Sequence, residues 1–259
     1  MALIHCDFFS ETLGISTSVC AILPQNTKTQ IGMKGSTIRA KYPVLYLLHG
    51  LSDDHTIWQR RTSIERYASE LGLVVIMPSV ERSFYTDMHN GYDYWTYISE
   101  ELPEIMASFF PISTAREDNF AAGLSMGGYG ALKLVMSHPD KFAAGASLSG
   151  SLNMAESILS ESNEKEKKEL INIFGDLRSV KGSKNDLFAL AEGLHNSQNK
   201  PKLFQCCGTE DFLYQDNIKF RDFIKTKDFD FTYEEGPGTH EWGYWDKEIQ
   251  KVLKWLPIK

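Results

Sequence analysis

A serine hydroxyl becomes a nucleophile only when a base takes its proton and the backbone holds it within reach of a substrate. The segment Gly123-Leu124-Ser125-Met126-Gly127-Gly128 offers such a serine in a G-x-S-x-G pattern. An apolar run, Asn119 to Leu124, precedes it, and a helix is expected over Met126 to Ser137. A serine on a tight turn from strand to helix is a nucleophile elbow, and that turn is strained. Residues two places either side of it must lack side chains that would collide across the turn, which accounts for Gly123 and Gly127. The bare pattern is weak in a chain with 19 glycines; the strand before and the helix after give it meaning.

In this architecture the partners of the serine follow it, acid first and histidine second. Of seven histidines, His5, His49, His55 and His89 precede Ser125, and His138 falls at the end of the helix that the serine opens. His195 lies in a polar stretch and reads as a solvated residue. His240 sits in Gly236-Pro237-Gly238-Thr239-His240-Glu241-Trp242, a loop that follows the last strand candidate. Loops at the carboxyl ends of strands carry the sites of open α/β sheets, so His240 is the expected base.

The acid should also follow a strand. Asp211 does, in Gly208-Thr209-Glu210-Asp211-Phe212-Leu213-Tyr214 after the apolar run Lys202 to Cys207. Its role would be to orient His240 and stabilise the imidazolium. Glu210 and Asp216 are rivals, the first one residue away, the second deeper in an expected helix.

An oxyanion formed by attack on a carbonyl needs two backbone N–H donors, one after the nucleophile and one from an earlier loop. Met126 is the first. The loop His49-Gly50-Leu51-Ser52-Asp53-Asp54 supplies the second, with Leu51 as donor, Gly50 beside the substrate, and His49 as an anchor of the loop. Asp53 and Asp54 read as turn and cap residues rather than metal ligands. Among nearby aromatics, Trp242 is the candidate to touch substrate.

Apolar runs alternating with longer amphipathic stretches predict a mostly parallel sheet with helices on both faces, an α/β fold in one domain over 1–259. Strands are expected at Ile4 to Phe9 and Ile15 to Leu23, forming an antiparallel edge, and at Pro43 to Gly50, Leu73 to Pro78, Asn119 to Leu124, Phe142 to Leu148, Lys202 to Cys207 and Phe229 to Glu234. Gln25 to Gly35 reads as a polar, turn-rich connection. Helices are expected at Thr56 to Leu71, Tyr94 to Phe110 with a kink or a helix start at Pro103, Glu161 to Phe174, and Tyr244 to Trp255. The polar segment 151–199 reads as a small helical insertion that could cap the site.

A net charge of -7 opposes binding to nucleic acid phosphate. The N-terminal residues lack a basic and then apolar leader, and no apolar run is long enough to span a membrane, so a cytoplasmic protein is expected. Four cysteines are too few for a disulfide framework and read as reduced. The expected partner is a neutral small molecule, with homo-oligomerisation open.

Together HGLSDD, GLSMGGYGALK, GTEDFLYQDN and GTHEWGYWD resemble the esterase D family of α/β-hydrolases, which includes S-formylglutathione hydrolases and is related to feruloyl esterases and mycolyltransferases. The likeness runs from the Pro43 strand to Trp245 and is nearest to small bacterial tributyrin esterases. It implies a serine carboxylesterase acting on short-chain acyl or small aryl esters without metal or organic cofactor. It puts the nucleophile on Ser125, the acid on Asp211, the base on His240, and the oxyanion donors on Leu51 and Met126. One departure is Ser79-Val80-Glu81-Arg82-Ser83-Phe84, where S-formylglutathione hydrolases commonly carry a Ser-Pro-Arg-Gly segment. Rival readings are an S-formylglutathione hydrolase, a carbohydrate acetyl or feruloyl esterase, and a non-catalytic hydrolase-fold binding protein.

Overall fold

The computed structural model describes residues 1–31, 35 and 39–259. Residues 32–34 of the connection read as Gln25 to Gly35 therefore lie outside the described residues. Two antiparallel strands, β1 (Ala2–Ser10) and β2 (Ile15–Leu23), open the chain. They are followed by β3 (Val44–Leu48), helices α1 (Ile57–Arg61) and α2 (Ile64–Ser69), and β4 (Val74–Pro78). Next come α3 (Tyr94–Thr96), a π-helical turn (Tyr97–Glu101), α4 (Leu102–Phe109), β5 (Asn119–Leu124), α5 (Met126–Ser137) and β6 (Ala144–Leu148). The insertion holds α6 (Met154–Ser157), α7 (Glu164–Phe174) and α8 (Leu187–Gly193). The chain ends with β7 (Lys202–Gly208), α9 (Tyr214–Ile224), β8 (Phe231–Gly236) and α10 (Trp242–Trp255).

These eight strands form one sheet in the order β1-β2-β4-β3-β5-β6-β7-β8. It is parallel from β4 to β8, with β1 and β2 antiparallel at one edge. The central strands are buried on both faces, which is why they read as continuous apolar runs. Alternation sends Val44, Tyr46 and Leu48 into a core beneath α4, α5 and α9, and Leu45 and Leu47 into a second core beneath α1, α2 and α10. From β3 the chain proceeds to β4 on one side, and from β5 to β6 on the other. The carboxyl ends of β3 and β5 thus flank a topological switch point, the crevice where open α/β sheets place their sites.

Local chemistry explains where boundaries differ from expectation. The helix expected from Thr56 to Leu71 is two helices, because Thr62 is extended (φ -135°, ψ 172°). Its hydroxyl donates to the Trp58 carbonyl at 2.6 Å and accepts from the Ile64 N–H at 3.1 Å, closing one helix and opening the next. At Pro103, where a kink or a helix start is expected, the π turn gives way to α4, with the proline in its first turn. Proline has no N–H to offer Ser99, whose carbonyl instead lies 3.5 Å from Lys141 Nζ. Within the insertion, the helix expected from Glu161 starts at Glu164, capped by the Asn163 side chain accepting from Lys165 and Glu166 N–H groups. All four cysteines are free.

The crossing of β5 and α5 is close enough to dictate glycine. A Cβ on Gly123 would strike the Gly127 carbonyl, and one on Gly127 would strike the Leu48 and His49 carbonyls. Obstruction by backbone leaves no rotamer to relieve it. Gly127→Ala is therefore expected to destabilise the protein by about 1–3 kcal/mol, the range for overpacked cores, as read by urea denaturation. An unchanged midpoint would show that β3 and α5 can separate.

Candidate active site

Ser125 sits between β5 and α5 at φ 53° and ψ -119°, outside the regions comfortable for an L-residue. The turn is fixed on three sides. The Ser125 N–H donates to Leu148 O at 3.0 Å, and its carbonyl accepts from Tyr129 N at 3.1 Å and Ser151 N at 3.2 Å. The side chain is partly buried.

Asp211 follows β7 and is 4% exposed. His240 Nδ1 lies 2.9 Å from its Oδ2 and 3.1 Å from Oδ1. An Nδ1–H donating to that carboxylate leaves Nε2 as an acceptor, the form a general base requires. Burial pushes the Asp211 carboxyl up, but hydrogen bonds from His240 and from the Leu213 N–H at 2.8 Å outweigh it and hold the carboxyl below its usual range. Phe212 and Trp245 flank the imidazole, with centroids 4.6 and 4.8 Å away. Among the described residues no hydrogen bond joins His240 to Ser125; catalytic hydrogen bonds are often long before substrate binds.

The other acidic candidates are engaged elsewhere. Glu210 Oε2 accepts from Gly238 N at 2.6 Å, clamping the loop that bears His240. Asp216 accepts from Asn153 Nδ2 at 3.1 Å and Ser157 Oγ at 2.9 Å, tethering α9 to the insertion. His195 lies 3.3 Å from the Lys227 carbonyl, at the far end of that insertion.

The loop after β3 meets the elbow from the other side. A Cβ on Gly50 would lie 2.7 Å from Leu124 Cδ1, 3.2 Å from Asp53 Oδ2 and 3.7 Å from Ser125 Cβ, so the bare glycine lets this loop pass close to the elbow. Among the described residues the Leu51 N–H has no hydrogen-bond acceptor. The Met126 N–H opens α5, where no intrahelical acceptor exists. Asp54 Oδ1 accepts from the Thr56 N–H at 2.8 Å and its hydroxyl at 2.6 Å, a cap-type arrangement. Buried His49 anchors this loop: Nδ1 lies 2.7 Å from Gly50 O, and Nε2 accepts from Val80 N at 3.0 Å.

A cavity of about 340 Å³ is lined by the apolar Leu51, Phe84, Met154, Ile158, Ile173 and Phe212 and by the charged Arg82, Glu161, Glu166 and Glu169. Phe84 and Tyr85 are held at positive φ. Behind them, fully buried Lys133 of α5 donates to Tyr85 O at 2.7 Å and Thr86 Oγ1 at 3.1 Å, and lies 4.3 Å from the Trp95 ring centroid. Burial pushes this ammonium well below its usual range. Trp242 packs between Trp58 and Trp245, with centroids 5.2 and 5.3 Å away, and is not part of the cavity wall. A larger cavity of about 460 Å³, lined by Tyr46, Ile112 and Asn119, lies at the opposite end of the strands.

A family model described as "Putative esterase" matches residues 10–256. An acetyl esterase of Caldicellulosiruptor saccharolyticus is 32% identical, covering 99% of this chain and 98% of its own. Among solved structures, Staphylococcus aureus fluorophosphonate-binding serine hydrolase F superposes with a TM-score of 0.87 at 39% identity, covering 98% of both chains. S-formylglutathione hydrolase from the same organism gives 0.84 at 39% identity, again over 98% of both. The fold and these likenesses define the class, an α/β-hydrolase-fold serine hydrolase of carboxylic esters. Within it, the chain belongs to the esterase family matched by that model, in keeping with the esterase D-like motifs.

The anchor at His49 has a pH signature. Burial pushes the imidazole down to about 4, against the opposing hydrogen bond to Gly50 O. The folded value lies below the unfolded one, near 6.5, so on acidification the unfolded chain takes up the proton first. Stability from the neutral ring is complete above about pH 6.5 and falls by about 3 kcal/mol as pH drops to about 4. His49→Asn, which cannot titrate, should flatten that part of the profile in urea unfolding; an unchanged slope would assign the acid sensitivity elsewhere.

Proposed function

We propose that the chain hydrolyses short-chain acyl esters through an acyl-enzyme on Ser125. The observation that supports this is the Asp211–His240 hydrogen bond after β7, at the same carboxyl end of the sheet as the strained Ser125 after β5. Ser125 attacks the ester carbonyl while His240 Nε2 takes its proton, and Asp211 stabilises the resulting imidazolium. The Leu51 and Met126 N–H groups receive the oxyanion, and Gly50 leaves room for the carbonyl substituent. His240 returns the proton to the leaving alcohol. It then takes a proton from water as the water oxygen attacks the acyl carbonyl, and gives that proton to Ser125 Oγ as the bond to the acyl group breaks, releasing the acid.

Acyl length follows from volume. About 340 Å³ is at the low end for ligand pockets, which run from roughly 300 to 1,000 Å³. Acetyl to butyryl groups suit it, and long fatty acyl chains exceed it. Residues 151–199 act as a fixed wall of this pocket through Met154, Ile158 and Ile173. Trp242 supports His240 through Trp245 rather than touching the acyl group. A second reading, thioester hydrolysis of S-formylglutathione, draws on the Staphylococcus aureus relative. The three glutamates lining this pocket oppose an anionic tripeptide.

Hydrolysis of p-nitrophenyl esters from acetate to palmitate, with S-formylglutathione alongside, tests both readings. Turnover is expected for acetate and butyrate, to be negligible for palmitate, and to fall by about 10³-fold or more in Ser125→Ala and His240→Asn. Activity surviving in Ser125→Ala would assign another nucleophile. Met154→Ala should move the preferred chain length upward; an unmoved preference would place the acyl group outside this cavity.

A further inference from the structure

Away from Ser125, the described residues gather three metal-ligating side chains. His5 and Cys20 are register partners on β1 and β2, so their side chains leave the same face of the hairpin. His5 Nδ1 lies 3.2 Å from Cys20 Sγ. His55, from the loop between β3 and α1, brings a third donor, and one ligand atom of each residue lies within 4.8 Å of the other two. A Cys–His hydrogen bond without metal accounts for two of these residues but leaves His55 unexplained: its Nδ1 is buried without a hydrogen-bond partner.

The donor set is chemically selective. Two imidazoles and a thiolate suit Zn²⁺ and neighbouring transition cations, not Mg²⁺ or Ca²⁺. Tetrahedral Zn²⁺, with bonds of roughly 2.0–2.3 Å, separates its ligand atoms by roughly 3.3–3.7 Å. Shifts of about 1 Å would bring the three donors to that spacing. His5 is exposed, leaving a fourth position open to water. Asp7 and Asp54 lie within Coulombic range of the Cys20 thiol and favour a cation there.

We propose that His5, Cys20 and His55 form a binding site for a divalent transition cation, with Zn²⁺ the best chemical match. On binding, Cys20 releases its thiol proton to solvent as the sulfur–metal bond forms, and both imidazoles bind neutral. The metal would tie the loop that carries Gly50 and Leu51 to the β1–β2 edge of the sheet. The site is independent of ester hydrolysis and stands or falls separately from it.

Titration of the purified protein with Co²⁺, followed by optical absorption, tests this directly. One equivalent is expected to produce a thiolate-to-cobalt charge-transfer band that added Zn²⁺ abolishes. The band should persist in Cys6→Ser and vanish in Cys20→Ser. His5→Asn, at an exposed position, should leave thermal unfolding of the metal-free protein unchanged while raising the Co²⁺ dissociation constant about tenfold or more. The absence of a band would overturn the proposal, as would a band that survives Cys20→Ser or an affinity indifferent to His5→Asn and His55→Asn.

Discussion

The structure depends on one strained backbone. A serine held at φ 53° and ψ -119° costs on the order of 1–3 kcal/mol, which its surroundings must offset. They do so with the packing of α5 against β3 and β5, made possible by glycines whose replacement would meet backbone. The three hydrogen bonds around Ser125 come from β6, the turn beyond it, and α5. The turn is therefore tied to the centre of the sheet, which fixes the backbone that carries the Ser125 hydroxyl.

Around that fixed point the remaining groups arrive from loops, each disciplined separately. His49 ties the loop after β3 to the segment after β4, so the amide of Leu51 is positioned by two strands rather than one. Glu210 clamps the histidine loop, and Phe212 and Trp245 hold the ring between them. Lys133 is the least expected member: a buried amine linking α5 to the carbonyl of Tyr85, held at positive φ, and to the Thr86 hydroxyl, over an indole face that offsets part of its desolvation.

Legibility in the sequence followed the range of the interactions. The elbow is local, five residues whose small side chains have a steric reason, and it could be read directly. So could the strands, since burial on both faces leaves an unbroken apolar run. The break at Thr62 was hidden because threonine's competition with the helix depends on a side-chain rotamer. The cavity was hidden for a different reason. Leu51, Phe84, Met154 and Phe212 come from four distant segments, and only the folded chain brings them to one wall. The packing of Trp242 was hidden in the same way: its ring lies between Trp58 and Trp245, from segments far apart in the chain or on the next turn of its helix.

The cavity lining carries three carboxylates against one guanidinium, and Arg82 is already bound to Glu169. An ester is neutral on arrival. The acid left after hydrolysis is an anion, and among the described residues the one cation of this wall, Arg82, is already paired. On the proposed reaction the lining thus discriminates between what enters and what must depart, which weakens inhibition by accumulated product and does so most at low ionic strength, where screening is least.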